Sequence, residues 1–249
     1  PRDRMAEMLM FQYIGAPRTI YRDAHKLPPG HYMWISPTGD RRIERYFAYE
    51  PTTAPDGADD LPLWDAADAL DILLQASLDR RLMSDVPLGA LLSGGVDSAT
   101  TCALIRKGLN VPLKTFSLGF AGAPESETPV AAAFAAAIGS DHHELIVDES
   151  AVSFLRRVGT LQDEPNGDVS CFPTYYLSKL VREHVTVAIS GDGGDEMFGG
   201  YGRYFQTLDG VATRPFGAFG REYYSGRILV MSELEIRSLF GGVPPSLRS

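Results

Sequence analysis

Cysteine is scarce in this chain, with Cys102 and Cys171 the only two among 249 residues and no pairing pattern between them. That excludes a small secreted scaffold stapled by disulfides and suits a reducing compartment, so a cytoplasmic protein is expected. Histidine is sparse too, and His142 and His143 are neighbours. Adjacent strand residues point to opposite sides, which denies the pair the spacing of a zinc site. No apolar run approaches the roughly 18 residues of a membrane span, and no signal-peptide pattern is visible. A basic excess is also missing: 23 Lys and Arg stand against 32 Asp and Glu, a net charge of −9. That balance argues against a nucleic-acid partner. There is no internal repeat, and the one biased tract, the alanine-rich run 131–137, is a good helix former. What remains, 44% hydrophobic residues over a length of one large or two small domains, is the composition of a globular enzyme.

Punctuation divides the chain. Residues 51–62 hold three prolines and no apolar period, and are expected to be a linker. From Leu63 to Met83 the pattern predicts a helix with Ala66, Ala69, Leu70, Leu73, Leu74 and Leu78 on one broad face. From Leu88 onward strands and helices alternate, which predicts an α/β fold with a doubly wound parallel sheet. Cys102 falls at helical spacing with Ala99 and Ala103, the pattern of a small buried side chain.

The most informative run is residues 90–98, Ala-Leu-Leu-Ser-Gly-Gly-Val-Asp-Ser. An apolar strand (Leu88, Ala90, Leu91, Leu92) runs into two glycines, and Asp97 and Ser98 then open a helix. Glycines remove the side chains that would keep an anion from the backbone, and the helix adds the positive end of its dipole. This is the chemistry of a phosphate cradle. It is not of the Walker type, because no Gly-Lys-Ser/Thr follows. Asp97 beside such a cradle repels a phosphate unless a cation lies between them, and magnesium favours carboxylate and phosphate oxygens together. Asp97 as a plain N-cap is the other reading.

A second run has the same layout. In residues 185–204 an apolar β-branched strand (Val185, Val187, Ile189) ends at Ser190-Gly191, and Asp192, Asp195 and Glu196 follow among several glycines. A solvated acidic loop explains neither the strand nor the glycine density. Ligands of parallel sheets bind at strand carboxyl ends, and both glycine runs sit there.

Ser93-Gly94-Gly95-Val96-Asp97-Ser98 resembles the pyrophosphate loop of the ATP pyrophosphatases, and the two runs together resemble the glutamine-dependent asparagine synthetases. Thr115–Phe120, Glu127-Thr128-Pro129, Asp141–Glu144, Asp163-Glu164-Pro165 and Pro173–Lys179 carry further similarity, so that the resemblance covers about residues 8–205. Pro17–Tyr21, Lys26–Tyr32 and Arg45-Tyr46-Phe47 resemble the end of the glutaminase domain that precedes the synthetase domain in that family. The resemblance thus implies the C-terminal end of a class II glutamine amidotransferase domain, a β-rich remnant, at 1–50. It implies a pyrophosphatase domain at 63–249, incomplete at its C-terminus. Residue 1 is Pro and neither cysteine lies near the start, where the family's glutaminase nucleophile stands. An internal piece of a longer polypeptide is therefore expected, without glutaminase activity and inactive in isolation.

The resemblance also assigns roles. ATP is the nucleotide substrate, its β- and γ-phosphates cradled by Ser93, Gly94, Gly95, Asp97 and Ser98. Asp97 and Asp195 match magnesium ligands, one from each loop. Leu91, Leu118, Ser190 and Gly191 match adenosine contacts. The implied reaction converts aspartate to asparagine through a β-aspartyl adenylate, with ammonia from glutamine, and releases AMP and pyrophosphate. Asp192, where many members carry Glu, is the candidate proton acceptor for ammonia. Glu196 either holds substrate, supports Asp195 or pairs with Arg203. Tyr175, Tyr176, Tyr201 and Tyr204 read as packing and capping. A homodimer of the full-length protein is compatible with the resemblance. Relatives use the same loops to close lactams, cyclise peptides or amidate cell-envelope components, and a nucleotide-binding module without turnover is the reading from another class. Residues 214–249 carry no recognisable motif.

Overall fold

The computed structural model describes residues 2–50, 62–122, 126–148, 154, 157, 159–208 and 229–242. They belong to two compact units, one of residues 1–53, 156–169 and 205–249, the other of 54–155 and 170–204. Except for Pro62, the linker expected at 51–62 lies outside the described residues.

In the first unit, residues Arg2–Phe11 form helix α1, and a hairpin pairs β1 (His31–Ile35) antiparallel with β2 (Arg41–Arg45). The β structure of residues 2–50 is confined to this hairpin. Ala6 and Met10 of α1 are buried against Ile236 of the late helix Glu233–Phe240. That helix starts with a capping box between Ser232 and Glu235, which satisfies two otherwise orphaned N–H groups. Buried Glu7 accepts hydrogen bonds from the Gly15 N–H and from Arg18, both at 2.9 Å, and Lys26 pairs with Glu164 at 2.7 Å.

The second unit is the expected doubly wound α/β layer. Helix α2 (Leu63–Leu82) leads into β3 (Leu88–Leu91), α3 (Val96–Ala103), β4 (Lys114–Phe120), α4 (Thr128–Ile138), β5 (Asp141–Val147), α5 (Cys171–His184) and β6 (Val187–Ile189). The four strands are all parallel, in the order β5-β4-β3-β6. The order reverses between β3 and β6, so the strands that carry the two glycine runs are neighbours at the switch point.

Strand alternation sends side chains to both faces of the sheet. Ala90 and Leu92 pack with Cys102, Ile105, Ala131, Ala135 and Ile138 on one face. Leu91 and fully buried Phe116 meet Leu177, Val181 and Val185 of the α5 side on the other. Beneath α5, Phe154, Phe172 and Tyr176 form an aromatic cluster, with ring centroids 5.0 Å (Phe154–Phe172) and 5.3 Å (Phe172–Tyr176) apart. The adjacent histidines do diverge. His142 shares hydrogen bonds with the hydroxyls of Thr115 (2.9 Å) and Ser117 (3.0 Å), and burial holds its pKa below the usual value. His143 stacks on Phe116 and His184.

One expectation needs correction. Of the broad face foreseen on α2, only Leu78 is buried, and Leu73 is 67% exposed. The helix rests on the unit through its C-terminal turns, against the π-helical turn Leu104–Gly108, and Leu63, Trp64, Ile72 and Leu73 stay exposed. No helix among the described residues is long and apolar enough to cross a membrane.

Cys102 is fully buried with its Sγ 3.8 Å from the Leu91 carbonyl, and burial pushes its thiol up to about 12. Thiols react as thiolates. A thiol reagent at mildly alkaline pH is therefore expected to label half-buried Cys171 in the folded protein and to spare Cys102 until denaturant is added. Equal labelling of both sites under native conditions, read by mass spectrometry, would contradict this packing.

Candidate functional site

The first loop begins where β3 ends. Gly94 turns with φ +94°, a conformation that side chains disfavour, and the chain enters α3 with Gly95 at the N-cap position. The cap is therefore Gly95, and Asp97 lies inside the first turn. Two hydroxyls brace the loop from within. Ser98 Oγ accepts from the Ser93 N–H at 3.2 Å and donates to the Gly95 carbonyl at 3.1 Å. Ser93 Oγ accepts from the Gly95 N–H at 3.2 Å and lies 3.0 Å from Ser98 Oγ. The first-turn N–H groups of α3 have no helical carbonyl behind them and carry the positive end of the dipole.

The second loop follows β6. Ser190 Oγ accepts from the Asp192 N–H at 3.4 Å. Gly193 then caps the short helix α6 (Gly194–Phe198), which presents Asp195 and Glu196 in its first turn.

The two loops touch. A Cβ on Gly191 would lie 2.8 Å from the Ser98 nitrogen and 2.9 Å from the Asp97 carbonyl carbon, and one on Gly194 would overlap the Asp97 carboxylate. Only glycine allows this approach. Between the loops opens a cavity of about 900 Å³. Leu91, Ser93, Gly95, Asp97, Ser98 and Leu118 line it from the β3–β4 side, and Ser190, Gly191, Asp192, Asp195 and Glu196 from the β6 side. Of the residues singled out in the sequence, only Gly94 does not line it. A Cβ there would instead meet the Glu127 carbonyl at 3.1 Å.

Several lining residues had no assigned role in the sequence. Phe116 and Phe120 supply apolar wall, Pro173 and Thr174 come from the first turns of α5, and Glu127 and Tyr201 add polar groups. For Pro173 and Thr174 the similarity of Pro173–Lys179 was the available signal. Tyr201 read in the sequence as packing and capping, and it instead lines the cavity with its hydroxyl on Glu196.

Charge in the cavity is one-sided. Five carboxylates line it (Asp97, Glu127, Asp192, Asp195 and Glu196), and among the described lining residues there is no Lys, Arg or His. Glu196 is held by the Tyr201 hydroxyl, which donates to its Oε1 at 2.6 Å, while the Arg203 guanidinium stacks 3.9 Å from the Tyr201 ring centroid. The tyrosine hydrogen bond, then a backbone hydrogen bond, then the nearby Arg203 charge keep Glu196 below the usual carboxylate range. The same hydrogen bond pushes Tyr201 up to about 12. Glu196 is thus bonded to Tyr201, and Arg203 acts on it through its charge.

The donor set fits magnesium. Among the described residues no group of three or more His, Cys, Asp or Glu could hold a metal by itself. Two hard carboxylates from two loops, Asp97 and Asp195, are what Mg²⁺ uses when substrate phosphates complete its shell.

A parallel sheet with glycine loops meeting over an acidic cavity at its switch point places the second unit in the class of doubly wound α/β proteins with a strand-end ligand site. The asparagine synthase family model matches residues 69–234, and the chain belongs to that family. It is 33% identical over 218 residues to asparagine synthetase (glutamine-hydrolyzing) 1 of Bacillus subtilis, covering 86% of this chain and 33% of that protein. It is 37% identical over 194 residues to the putative asparagine synthetase (glutamine-hydrolyzing) 2 of Methanocaldococcus jannaschii, covering 76% and 36%. The chain therefore spans about a third of the length of these relatives. Among solved structures it aligns with the NH3-dependent NAD synthetase of Campylobacter jejuni at 15% identity and a TM-score of 0.37, over 57% of this chain and 62% of the other.

The contact between Gly194 and Asp97 gives a prediction of sign. By helix propensity alone Gly194→Ala would stabilise by up to about 1 kcal/mol. Overlap with the Asp97 carboxylate predicts instead a loss of about 1–3 kcal/mol in denaturant unfolding. A variant as stable as the parent or more so would show that the loops do not approach this closely.

Proposed function

We propose that this chain carries the ATP-using part of an amidation that converts aspartate to asparagine. The observation that carries the reading is the meeting of two glycine loops from neighbouring strands over one carboxylate-lined cavity, in a member of the asparagine synthase family. Residues 63–249 act as the pyrophosphatase domain, and 1–50 as the end of a glutaminase domain that delivers ammonia from glutamine. Both cysteines are free, which supports a cytoplasmic location.

ATP lies with its β- and γ-phosphates against the Ser93–Ser98 loop, where backbone N–H groups and the α3 dipole receive them. Ser93 and Ser98 hold the loop's shape through their mutual hydrogen bonds. The adenosine lies against Leu91, Leu118, Ser190 and Gly191. Magnesium, held by Asp97 and Asp195 together with the phosphates, would supply the positive charge that the lining lacks. The side-chain carboxylate of aspartate attacks the α-phosphorus, the bond to the bridging oxygen breaks, and pyrophosphate leaves. Ammonia then attacks the carbonyl carbon of the β-aspartyl adenylate, and AMP leaves with the bonding electron pair. The excess proton on nitrogen passes to Asp192, which lines the cavity beside the Ser190–Gly191 nucleotide contact.

Two half-reactions separate these roles in the full-length polypeptide. Asp97→Ala is expected to abolish both aspartate-dependent exchange of pyrophosphate into ATP and asparagine formation. Asp192→Ala is expected to lower asparagine formation about a hundredfold to ten-thousandfold, the usual cost of a lost general base, with exchange reduced much less. Equal losses in both assays for Asp192→Ala would make it a ligand of metal or substrate and remove the proton-acceptor role.

A further inference from the structure

We propose that the cleft between the edge strand β5 and helix α5 is a binding site for an α-amino acid with an apolar side chain, separate from the strand-end cavity and independent of the amidation reading.

The cleft follows from the sheet order. Among the described residues β5 pairs only with β4, so α5 meets an edge with no further strand beneath it. Strand alternation puts His143, Leu145 and Val147 on one face, and His143 meets His184 of α5 there, with ring centroids 3.8 Å apart. That contact fixes the direction of the helix. It runs back along β5, so the carboxyl end of the strand lies beside the first turns of α5. Tyr176, Lys179, Leu180 and Glu183 form one stripe of α5, at the spacing of a single helix face. With Leu145, Val147 and Asp148 they line a cavity of about 280 Å³.

An orphaned hydroxyl points to a ligand in this cavity. Tyr176 is only 8% exposed, and its hydroxyl is buried with no hydrogen-bond partner. The ring is held by Phe172 at 5.3 Å, Tyr175 at 5.1 Å and Phe154 at 6.0 Å, so it cannot swing out to water. Buried polar groups in folded proteins are paired. A lone water is a poor partner, because it needs two to four polar neighbours and the side chains of Leu145, Val147 and Leu180 supply none.

The charges define the ligand class. Asp148 lies at the Tyr176 end of the cleft, and Lys179 stands one turn after Tyr176. They have opposite signs, and neither has an ion-pair partner among the described residues. A zwitterionic head group satisfies all three side chains: its ammonium meets Asp148, and its carboxylate accepts from Lys179 and from the Tyr176 hydroxyl. From there the ligand's side chain runs along Leu145 and Leu180 toward Glu183, two turns beyond Tyr176. An apolar side chain is buried against the leucines. An acidic one would face the Glu183 carboxylate, which turns aspartate away.

The test is calorimetric titration of the full-length polypeptide with leucine, 4-methylpentanoate (no ammonium), 3-methylbutylamine (no carboxylate) and aspartate. Leucine is expected to bind at one site per chain, with each half-ligand at least about tenfold weaker, and excess aspartate is expected not to displace it. Tyr176→Phe and Asp148→Asn should each weaken leucine about tenfold and leave the KM for aspartate in pyrophosphate exchange unchanged. Without ligand, Tyr176→Phe should melt at or above the parent's midpoint, because it deletes a buried hydroxyl that has no partner. Should that variant fail to fold, Asp148→Asn, at an exposed position, still reads the head-group contact. A parent that activates aspartate and does not bind leucine would overturn this inference and leave the amidation reading standing. Leucine that aspartate displaces, or that binds both variants as tightly as the parent, would place it elsewhere and overturn the assignment. A Tyr176→Phe variant that melts below the parent and binds leucine as well would assign the hydroxyl to an ordered water only.

Discussion

The closeness of two loops governs the site. Gly191 and Gly194 let the segment after β6 settle against Asp97 and Ser98, which open the helix after β3, at distances where any side chain would collide. Every polar group assigned to chemistry depends on that contact. It places the acids of the second loop in the same cavity as the positive end of α3, and it brings the Asp97 carboxylate under the first turn of α6. The parallel order β4-β3-β6 makes the contact available, because the two strands are neighbours at the point where the sheet reverses direction. The hydroxyls of Ser93 and Ser98 brace the first loop from within by accepting the Ser93 and Gly95 N–H groups, while the first-turn N–H groups of α3 keep the positive end of the dipole.

The electrostatics of the cavity follow a single logic. Carboxylates with no basic lining residue among those described cannot hold a triphosphate unaided. Such a lining favours ligands that carry their own positive charge or arrive with a cation. The Tyr201–Glu196 pair belongs to this logic. The Tyr201 hydroxyl, followed by a backbone hydrogen bond and the Arg203 charge, favours the ionised form of that carboxylate.

Most of this was legible in the chain, and the gaps have physical causes. The strand-end runs at Leu88–Leu92 and Val185–Ile189 gave the sheet, because apolar β-branched strands that break into glycine have few alternatives in an α/β protein. The pattern also gathered the right side chains: Leu91, Leu118, Asp97, Asp192, Asp195 and Glu196 share one cavity. What the pattern could not give was pairing in space. Glu196 has Arg203 seven residues on, and charge alone suggested that partner. The phenol of Tyr201 takes the hydrogen bond because the turn after Gly199 brings its hydroxyl back over α6. Of the two readings of Asp97, acid at the cradle or N-cap, the backbone sets aside the cap, because the helix begins at Val96 after Gly95. On α2, hydrophobic period predicted a buried face, and contact through the last turns alone left Leu73 exposed, which no periodicity can foretell.

The account is tested most directly by the dependence of nucleotide binding on a divalent cation. The full-length polypeptide would be titrated with ATP by calorimetry, once in excess magnesium and once in EDTA. A single carboxylate–phosphate repulsion at about 4 Å costs on the order of 1 kcal/mol even in water. Several such contacts in the partly enclosed cavity predict an affinity at least about tenfold weaker without the metal. The same titration on Asp97→Ala should show that gap shrink, because the charge needing compensation has gone. Equal ATP affinity in magnesium and in EDTA would contradict the claim that these acidic loops form a cation-dependent phosphate cradle.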